Sequence, residues 1–423
     1  MERIRGIFTR YGKYASNTGL YLLASLIPAV LSVLINPLLA MNLSPEDYAI
    51  IAYYTSFGGL FGPIIGFFIM DYYLKCYYAS TKDELEKLKG TALMLLLLVS
   101  APVSLLCLLG LFIYSFLAHV TFSFLPYALY AILQLYFSYF YSFQLAEYKI
   151  KGDGKSFFRV SVFWGIVVVL LNLLLVVFIK GGASGKLLAA MIGSMLPCLV
   201  YLFKNRAYIK LKIDFKLAFK FFTFGYPLVL AGLLEFFSHG YDKVLLERQG
   251  DITAMGYYAV ACQMSGYLNL FATALKSTFQ PDIYEAISER NIKKVVLIIM
   301  MVIGIISFVV FVYILVCPQL ISLLTAGRYT ESSGLSRITS LSVISASLYY
   351  LISLFTYGVG LTKLTLINKI MGTVINIVIL TIMIRTYGTT GAAWGTVFSF
   401  IVYAIGNVLL LYVNRGKFIG EEK

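Results

Sequence analysis

The chain has 423 residues, of which 60% are hydrophobic and only 13% are charged, and its formal net charge at pH 7 is +14. A soluble domain carries about 25% charged residues, so this chain could not cover a surface that faces water. The composition excludes a soluble protein and predicts an all-α integral membrane protein.

Apolar runs of about 20 residues, the length that spans a bilayer as a helix, follow one another along the whole chain. About twelve such runs are predicted, at 17–40, 48–70, 91–113, 124–146, 160–179, 187–203, 221–245, 254–276, 295–317, 338–360, 364–384 and 391–413. The first run is longer than the core of about 7–15 residues in a signal peptide. It is therefore predicted to be a retained first helix.

The orientation follows from the basic residues, because cytoplasmic loops of membrane proteins carry an excess of Lys and Arg. If the amino terminus is cytoplasmic, 26 of the 34 Lys and Arg residues fall in inner segments and six in outer loops. The remaining two, Lys243 and Lys276, lie in predicted helices. Both termini are predicted to be cytoplasmic. Because the basic residues are dispersed over seven segments, no nucleic-acid partner is expected.

An internal repeat divides the chain into halves. Asn172 and Asn376 each precede a Gly-rich turn and a helix of small residues, and they lie 204 positions apart. We predict a six-helix amino-terminal lobe at 1–203, a basic cytoplasmic linker at 204–220 and a six-helix carboxy-terminal lobe at 221–423. An even number of helices makes the repeats parallel, and such lobes commonly alternate around a central cavity.

No motif predicts reaction chemistry or a cofactor. Gly154-Lys155-Ser156 resembles the end of a phosphate-binding loop, but Lys149 stands where the first glycine is required. The five cysteines form no CxxC pair and there are only two histidines, so no metal site is expected. We expect a transporter and not an enzyme.

Ionisable residues in the seventh run predict a site of ion coupling, because charge inside a membrane is costly and faces a polar interior. Glu235, His239 and Asp242 stand at i, i+4 and i+7, which places them on one helical face. They are predicted to exchange a proton or bind sodium. The alternative is that a Glu–His pair and an interfacial Asp–Lys pair only fasten helices together.

Two stretches in the second half carry a family resemblance. Tyr241–Leu246 followed by Gly256–Ala261, and Gly360–Lys363 followed by Asn376 and Gly391–Trp394, resemble the polysaccharide-flippase branch of the MATE/MOP superfamily. The resemblance implies a Wzx-type flippase that moves an undecaprenyl-diphosphate-linked oligosaccharide, such as an O-antigen repeat unit for lipopolysaccharide, between the leaflets of the bacterial inner membrane. It would act from the cytoplasmic to the periplasmic leaflet. A polysaccharide polymerase and a chain-length regulator would be partners.

Two other functions stay open. A cation-coupled multidrug or small-molecule exporter of the same superfamily would also have twelve helices. A membrane polysaccharide polymerase is expected to have a large, charged periplasmic loop, and the longest outer loop predicted here is 318–337.

The substrate implied by the resemblance needs cationic groups, because a diphosphate keeps negative charge at neutral pH. Lys276 is the first candidate and Lys369 the second, since lysine binds phosphate as a mobile point charge. Asn269, Thr273 and Gln280 lie on the helical face of Lys276 and are predicted to line a polar cavity. Both lysines could instead extend to the membrane interface.

Overall fold

The computed structural model describes residues 2–209 and 214–414. The predicted cytoplasmic carboxy-terminal segment 415–423, the first residue, and residues 210–213 of the predicted linker lie outside the described residues. The described part of the first half forms nine α-helices: α1 Glu2–Asn42, α2 Pro45–Ser56, α3 Gly58–Gly66, α4 Ile69–Cys76, α5 Lys82–Leu98, α6 Ser100–Leu117, α7 Tyr127–Ile150, α8 Gly154–Asn172 and α9 Gly182–Lys204. A π-helical turn, Leu173–Phe178, continues α8.

The second half continues in the same way, and its described part forms six α-helices. They are α10 Phe215–His239, α11 Tyr241–Glu247, α12 Ile252–Ser288, α13 Ile292–Leu324, α14 Ser332–Gly358 and α15 Thr362–Val413. Gly388 has a non-helical backbone (φ 57°, ψ −133°), so α15 is two helices joined by a kink.

Each predicted apolar run falls on one or more of these helices, and the all-α membrane fold is confirmed. Within the described residues, eight helical stretches are long and apolar enough to cross a membrane. They are Pro45–Gly66, Lys82–Leu117, Gly154–Phe178, Gly182–Lys204, Phe215–His239, Ile292–Leu324, Ser332–Gly358 and Lys363–Val413. The last contains two predicted runs. The chain is a multi-pass membrane protein.

Three predicted runs are not single continuous helices, and the third of the twelve is interrupted at Val99, between α5 and α6. The second run is broken at Phe67 and Phe68, whose backbones are left-handed (φ 44° and 53°). The seventh is broken at Gly240, where α10 ends and α11 begins. Asp242 therefore does not continue the helical face of Glu235.

Polar residues in the loops start several helices, because the first backbone N–H groups of a helix need acceptors. Thr81 and Glu84 form a capping box at the start of α5. Asp153 accepts from Ser156 N at 3.0 Å, and Asp251 accepts from Ala254 N at 2.9 Å. Hydrogen bonds from Ser156 lower the pKa of the Asp153 carboxyl, so this cap is charged at neutral pH.

Helix α13 shows how the apolar sequence is divided between protein and lipid. Its residues Val302, Ile306 and Val310 are fully buried in a core with α12 and α14. On another face, Leu297 and Phe308 remain about two-thirds exposed, at 68% and 67%. An exposed apolar face of this kind marks a membrane contact.

The chain divides into two compact units. One unit consists of the residues up to Leu43 together with Phe57–Leu233, and the other consists of Ser44–Ser56 and the residues from Leu234 onward. Helix α2 is grouped with the second unit because it packs along α12, where the carbonyl oxygen of Pro45 touches Gly256. The boundaries predicted from the repeat, at 203, 204–220 and 221, stay a prediction.

Candidate functional site

A carboxylate is the centre of a polar cluster inside the second unit. Glu235, near the end of α10, forms an ion pair through its Oε2 with Lys369 of α15. Its Oε1 lies 3.2 Å from His239 Nε2, one helical turn further along α10. The Glu–His pair expected from the sequence is therefore present. Lys369, predicted as a second phosphate ligand, instead lies against Glu235.

Tyr350 of α14 connects the members of this cluster. Its hydroxyl donates a hydrogen bond of 2.8 Å to Glu235 Oε1 and lies 3.3 Å from His239 Nε2. The Nζ atom of Lys276, on α12, stands 4.9 Å from the centre of the Tyr350 ring, which is a cation–π contact. Four helices, α10, α12, α14 and α15, thus each contribute a side chain.

Lys276 differs from Lys369 in having no counter-charge among the residues that the structure describes. Among the described residues, no carboxylate oxygen lies within 4.0 Å of its ammonium group, and the side chain is half-buried. The cluster contains two lysines, Lys276 and Lys369, and one carboxylate, Glu235, so its cationic side chains outnumber its carboxylates. A site of this kind attracts an anion.

The position of Lys369 is fixed by its neighbours on α15. Asn368 donates from Nδ2 to the Tyr403 carbonyl oxygen at 2.9 Å, and Gly372 lies in contact with the ring of Tyr403. The Tyr403 hydroxyl in turn lies 3.0 Å from Thr373 Oγ1 and 3.2 Å from Ser238 Oγ. These contacts join the end of α10 to both halves of α15.

Asn376, which marks the internal repeat in the sequence, has a structural part in the same region. It donates from Nδ2 to the Phe237 carbonyl oxygen at 2.5 Å and accepts from Ser399 Oγ at 2.5 Å. The amide therefore satisfies a backbone carbonyl at the end of α10, next to Glu235 and His239. It holds the helix end that carries the candidate site.

Asp242, predicted to belong to the same coupling site, lies in a different cluster. Its carboxylate binds Lys243 Nζ at 2.8 and 3.0 Å and accepts from the Tyr258 hydroxyl at 2.6 Å. The Asp242 side chain is only 6% exposed. The break at Gly240 separates it from the face of Glu235, where an unbroken helix had been expected. Gly240 allows a close approach to the end of α2, since a Cβ there would lie 2.8 Å from the Ser56 carbonyl oxygen.

The residues predicted to line a polar cavity all lie on α12. Asn269 and Thr273 are exposed and Gln280 is half-buried, on the helix that carries Lys276. Within the described part of the chain, Lys276 is the only one of these four that contacts the Glu235 cluster, through the ring of Tyr350.

Sequence reasoning missed a second buried charge cluster, which lies in the first unit. Glu147 of α7 binds Lys89 of α5 at 2.7 Å and Lys151 at 2.5 Å, and it accepts from the Tyr201 hydroxyl of α9 at 2.7 Å. The Lys89 ammonium also stands 4.8 Å from the centre of the Tyr208 ring. The sequence pattern places Lys89 and Lys151 among the 26 basic residues of the predicted inner segments, and it does not distinguish Glu147 from other acidic residues.

Residues 38–334 match the family described as "Polysaccharide biosynthesis protein". This match covers more than half of the chain. The chain belongs to the polysaccharide biosynthesis protein family. No curated protein sequence matches the chain significantly.

Solved structures of transporters share the fold across nearly the whole chain. The lipid II flippase MurJ in an inward closed conformation superposes with a TM-score of 0.74 at 17% identity, covering 95% of this chain and 89% of MurJ. An inward-facing multidrug resistance MATE family transporter of the MOP superfamily gives 0.71 at 16% identity, covering 95% and 100%. A MOP superfamily transporter from Pyrococcus furiosus gives 0.60 at 18% identity, covering 94% of each chain.

At sequence identities this low, the superpositions show a shared fold and nothing more. Together with the family match, they confirm that the chain is a polysaccharide biosynthesis protein with the fold of the MATE/MOP superfamily, as the sequence resemblance implied.

Proposed function

We propose that this protein is a flippase that moves an undecaprenyl-diphosphate-linked oligosaccharide from the cytoplasmic to the periplasmic leaflet by alternating access. The observation that carries the proposal is the cluster of Glu235, Lys369, Tyr350 and Lys276. In it, Lys276, which has no counter-charge in the described part of the chain, lies beside the ion pair of Glu235 and Lys369. Membership of the polysaccharide biosynthesis family supports a sugar-bearing substrate.

Lys276 receives the diphosphate in this proposal. The prenyl chain of the carrier can stay in lipid, whereas its diphosphate must be stabilised by charge when it leaves water. Lys276 is the cation of the cluster that is free to do so, because Lys369 is neutralised by Glu235. A lysine holds phosphate as a point charge on a flexible stem, which suits an anion that must also be released.

Glu235 and His239 couple an ion to the cycle. If Glu235 takes up a proton, it loses the charge that holds Lys369, and a second cation becomes available for the diphosphate. Loss of the proton restores the ion pair and favours release. A proton gradient, or sodium bound by the same carboxylate, would supply the driving force. Asp242 is buried and is already bound by Lys243 and Tyr258, which favours a structural role for this residue.

The proposed location is the bacterial inner membrane, with both termini in the cytoplasm. The substrate would be an O-antigen or similar repeat unit for lipopolysaccharide, delivered to a periplasmic polysaccharide polymerase and its chain-length regulator. These assignments rest on the family and on the charge pattern of the loops.

Deletion of the gene tests the function directly. We expect the completed repeat unit to accumulate on its lipid carrier at the cytoplasmic face, as measured by extraction and mass spectrometry of lipid-linked sugars. A multidrug exporter would leave these intermediates unchanged and alter drug sensitivity instead. If the protein were a polymerase, its deletion would leave single repeat units in the periplasmic leaflet, where glycosidases added to spheroplasts could reach them.

Substitutions of Lys276 test the site. Lys276→Arg should retain part of the flipping activity, whereas Lys276→Ala and Lys276→Gln should lose about tenfold or more, since a charge-assisted contact contributes about 1.5–3 kcal/mol. Complementation of the deletion strain at matched, low expression is the measurement. Lys294→Gln is the control, because that lysine pairs with Glu289 at the surface. Full complementation by Lys276→Ala would show that Lys276 is only an interfacial anchor.

A further inference from the structure

The second unit contains a cavity of about 390 Å³ at the ends of three helices. The end of α12, the start of α13 and the end of α14 form its walls. Its apolar lining comes from Ile287, Ile292, Val295, Phe355 and Val359, and Tyr284, Ser288 and Arg290 add polar groups. A cavity of this size holds part of a small ligand, and its lining is that of an amphiphile site.

Arg290 is the charged group of this cavity. Among the described residues, no carboxylate oxygen lies within 4.0 Å of its guanidinium, and no hydrogen bond from its side chain is formed. Its backbone is left-handed (φ 54°), and Arg290 N bonds to the Ile287 carbonyl oxygen at 3.0 Å to close α12. That conformation favours glycine or asparagine, so the backbone does not account for an arginine here.

The neighbouring lysines behave differently. Lys294 is held by Glu289 at 3.0 Å and by Glu285 at 3.7 Å. Lys293 is exposed, as Arg290 is, but it does not line the cavity. Arg290 is therefore the cation that this segment presents to the cavity.

The surroundings of the cavity are those of a membrane interface. Beyond its rim, α13 continues with the exposed apolar residues Val296 and Leu297, at 48% and 68% exposure. The turn between α12 and α13 and the first residues of α13 contain Glu289 and three basic residues, Arg290, Lys293 and Lys294, and are predicted to be cytoplasmic. The inner leaflet is the one rich in anionic lipid, and basic pockets between transmembrane helices on that side bind lipid head groups.

We propose that this cavity binds an anionic phospholipid of the cytoplasmic leaflet, with the phosphate on Arg290 and the beginning of an acyl chain against Ile292, Phe355 and Val359. The guanidinium presents a planar set of donors that matches phosphate oxygens in pairs. The proposal does not depend on which molecule the protein transports.

The experiment uses the purified full-length chain in neutral detergent and measures thermal unfolding against added phosphatidylglycerol, phosphatidylcholine or water-soluble glycerol 3-phosphate. We expect phosphatidylglycerol alone to raise the unfolding midpoint. Arg290→Gln should weaken its apparent affinity about tenfold, since one charge-assisted contact is lost. Lys293→Gln is the matched control, with the same charge change three positions along the chain, and should retain wild-type affinity.

A second measurement keeps the proposal falsifiable if a variant does not fold. Phosphatidylglycerol with a photoreactive acyl chain should label the peptides around Ile292 and Val359 in the wild type, and excess unlabelled phosphatidylglycerol should prevent it. Equal weakening by Arg290→Gln and Lys293→Gln would overturn the proposal in favour of diffuse surface charge. Equal stabilisation by glycerol 3-phosphate would overturn the lipid assignment, as would labelling elsewhere.

Discussion

Glu235 carries three contacts on one carboxylate, to Lys369, His239 and Tyr350. Replacing it with glutamine keeps the size and the ability to accept a hydrogen bond from Tyr350, but removes the charge that holds Lys369. We expect Glu235→Gln to reduce flipping about tenfold or more, which corresponds to about 1.4 kcal/mol in the barrier. The flipping activity is measured by complementation of the deletion strain, with equal amounts of variant and wild-type protein in the membrane.

The control for this substitution is Glu289→Gln, since Glu289 is an exposed glutamate that pairs only with Lys294 among the described residues. It should complement as well as wild type. Wild-type activity of Glu235→Gln at equal protein level would leave the cluster with a structural role and remove it from ion coupling.

A different prediction at the residue scale concerns Glu147, which is bound by two lysines in unequal surroundings. The Lys89 side chain is 10% exposed and that of Lys151 is 46% exposed. Glu147→Gln leaves Lys89 buried without its counter-charge, and breaking a buried pair in this way costs about 3–5 kcal/mol. Lys89→Met should cost less, because Lys151 and Tyr201 still satisfy the carboxylate.

Thermal unfolding of the purified variants checks this order. The midpoint should fall further for Glu147→Gln than for Lys89→Met. Equal losses, or a larger loss for Lys89→Met, would contradict the inference that Glu147 is the centre of this network.

At the scale of helices, the sequence predicts most of the fold and little of the site. Apolar runs predict the helices because a segment in lipid must be apolar and must satisfy its own backbone hydrogen bonds. The Glu235–His239 contact is also predictable, because it is local and spans one turn of α10. Tyr350 is one of 33 tyrosines, and its bond to Glu235 spans 115 positions. No periodicity encodes such a contact. The break at Gly240 was missed because one glycine in an apolar run does not normally end a membrane helix.

Gly256, a residue of the family-like pattern, sets the distance between two helices. A Cβ at Gly256 would collide with the backbone carbonyl of Pro45, where α2 crosses α12. A backbone atom cannot turn aside as a side chain can, so the helices would have to separate. We expect Gly256→Ala to lower the unfolding midpoint of the purified protein by an amount equivalent to about 1–3 kcal/mol.

Gly266 supplies the matched control, because it lies on the same helix and a Cβ there meets no atom within 4 Å. Gly266→Ala should be neutral or slightly stabilising, since alanine favours helix by about 1 kcal/mol. If both alanine variants behave alike, close packing of α2 on α12 is not what Gly256 provides.

At the scale of the whole molecule, the orientation in the membrane is still a prediction from charge. It determines which end of α12 faces the cytoplasm, and therefore whether Lys276 lies toward the leaflet where the substrate is made. The same orientation places Arg290 and its cavity at the inner surface. Both proposals therefore share one premise, which can be measured independently of either activity.

Reporter fusions at loop positions test that premise. Fusions after Gly154 and Asp214 should report cytoplasm, because these positions lie in the inner segments that hold 26 of the Lys and Arg residues. Fusions after Gly182 and Ser332 should report periplasm. A pair of reporters, one active only in the cytoplasm and one only in the periplasm, gives each position a positive signal. Agreement at all four sites would place the Lys276 and Arg290 ends of the second unit inside. Inversion of any two would remove the cytoplasmic assignment of both sites, because the diphosphate and the anionic lipid would then have to be met at the opposite surface.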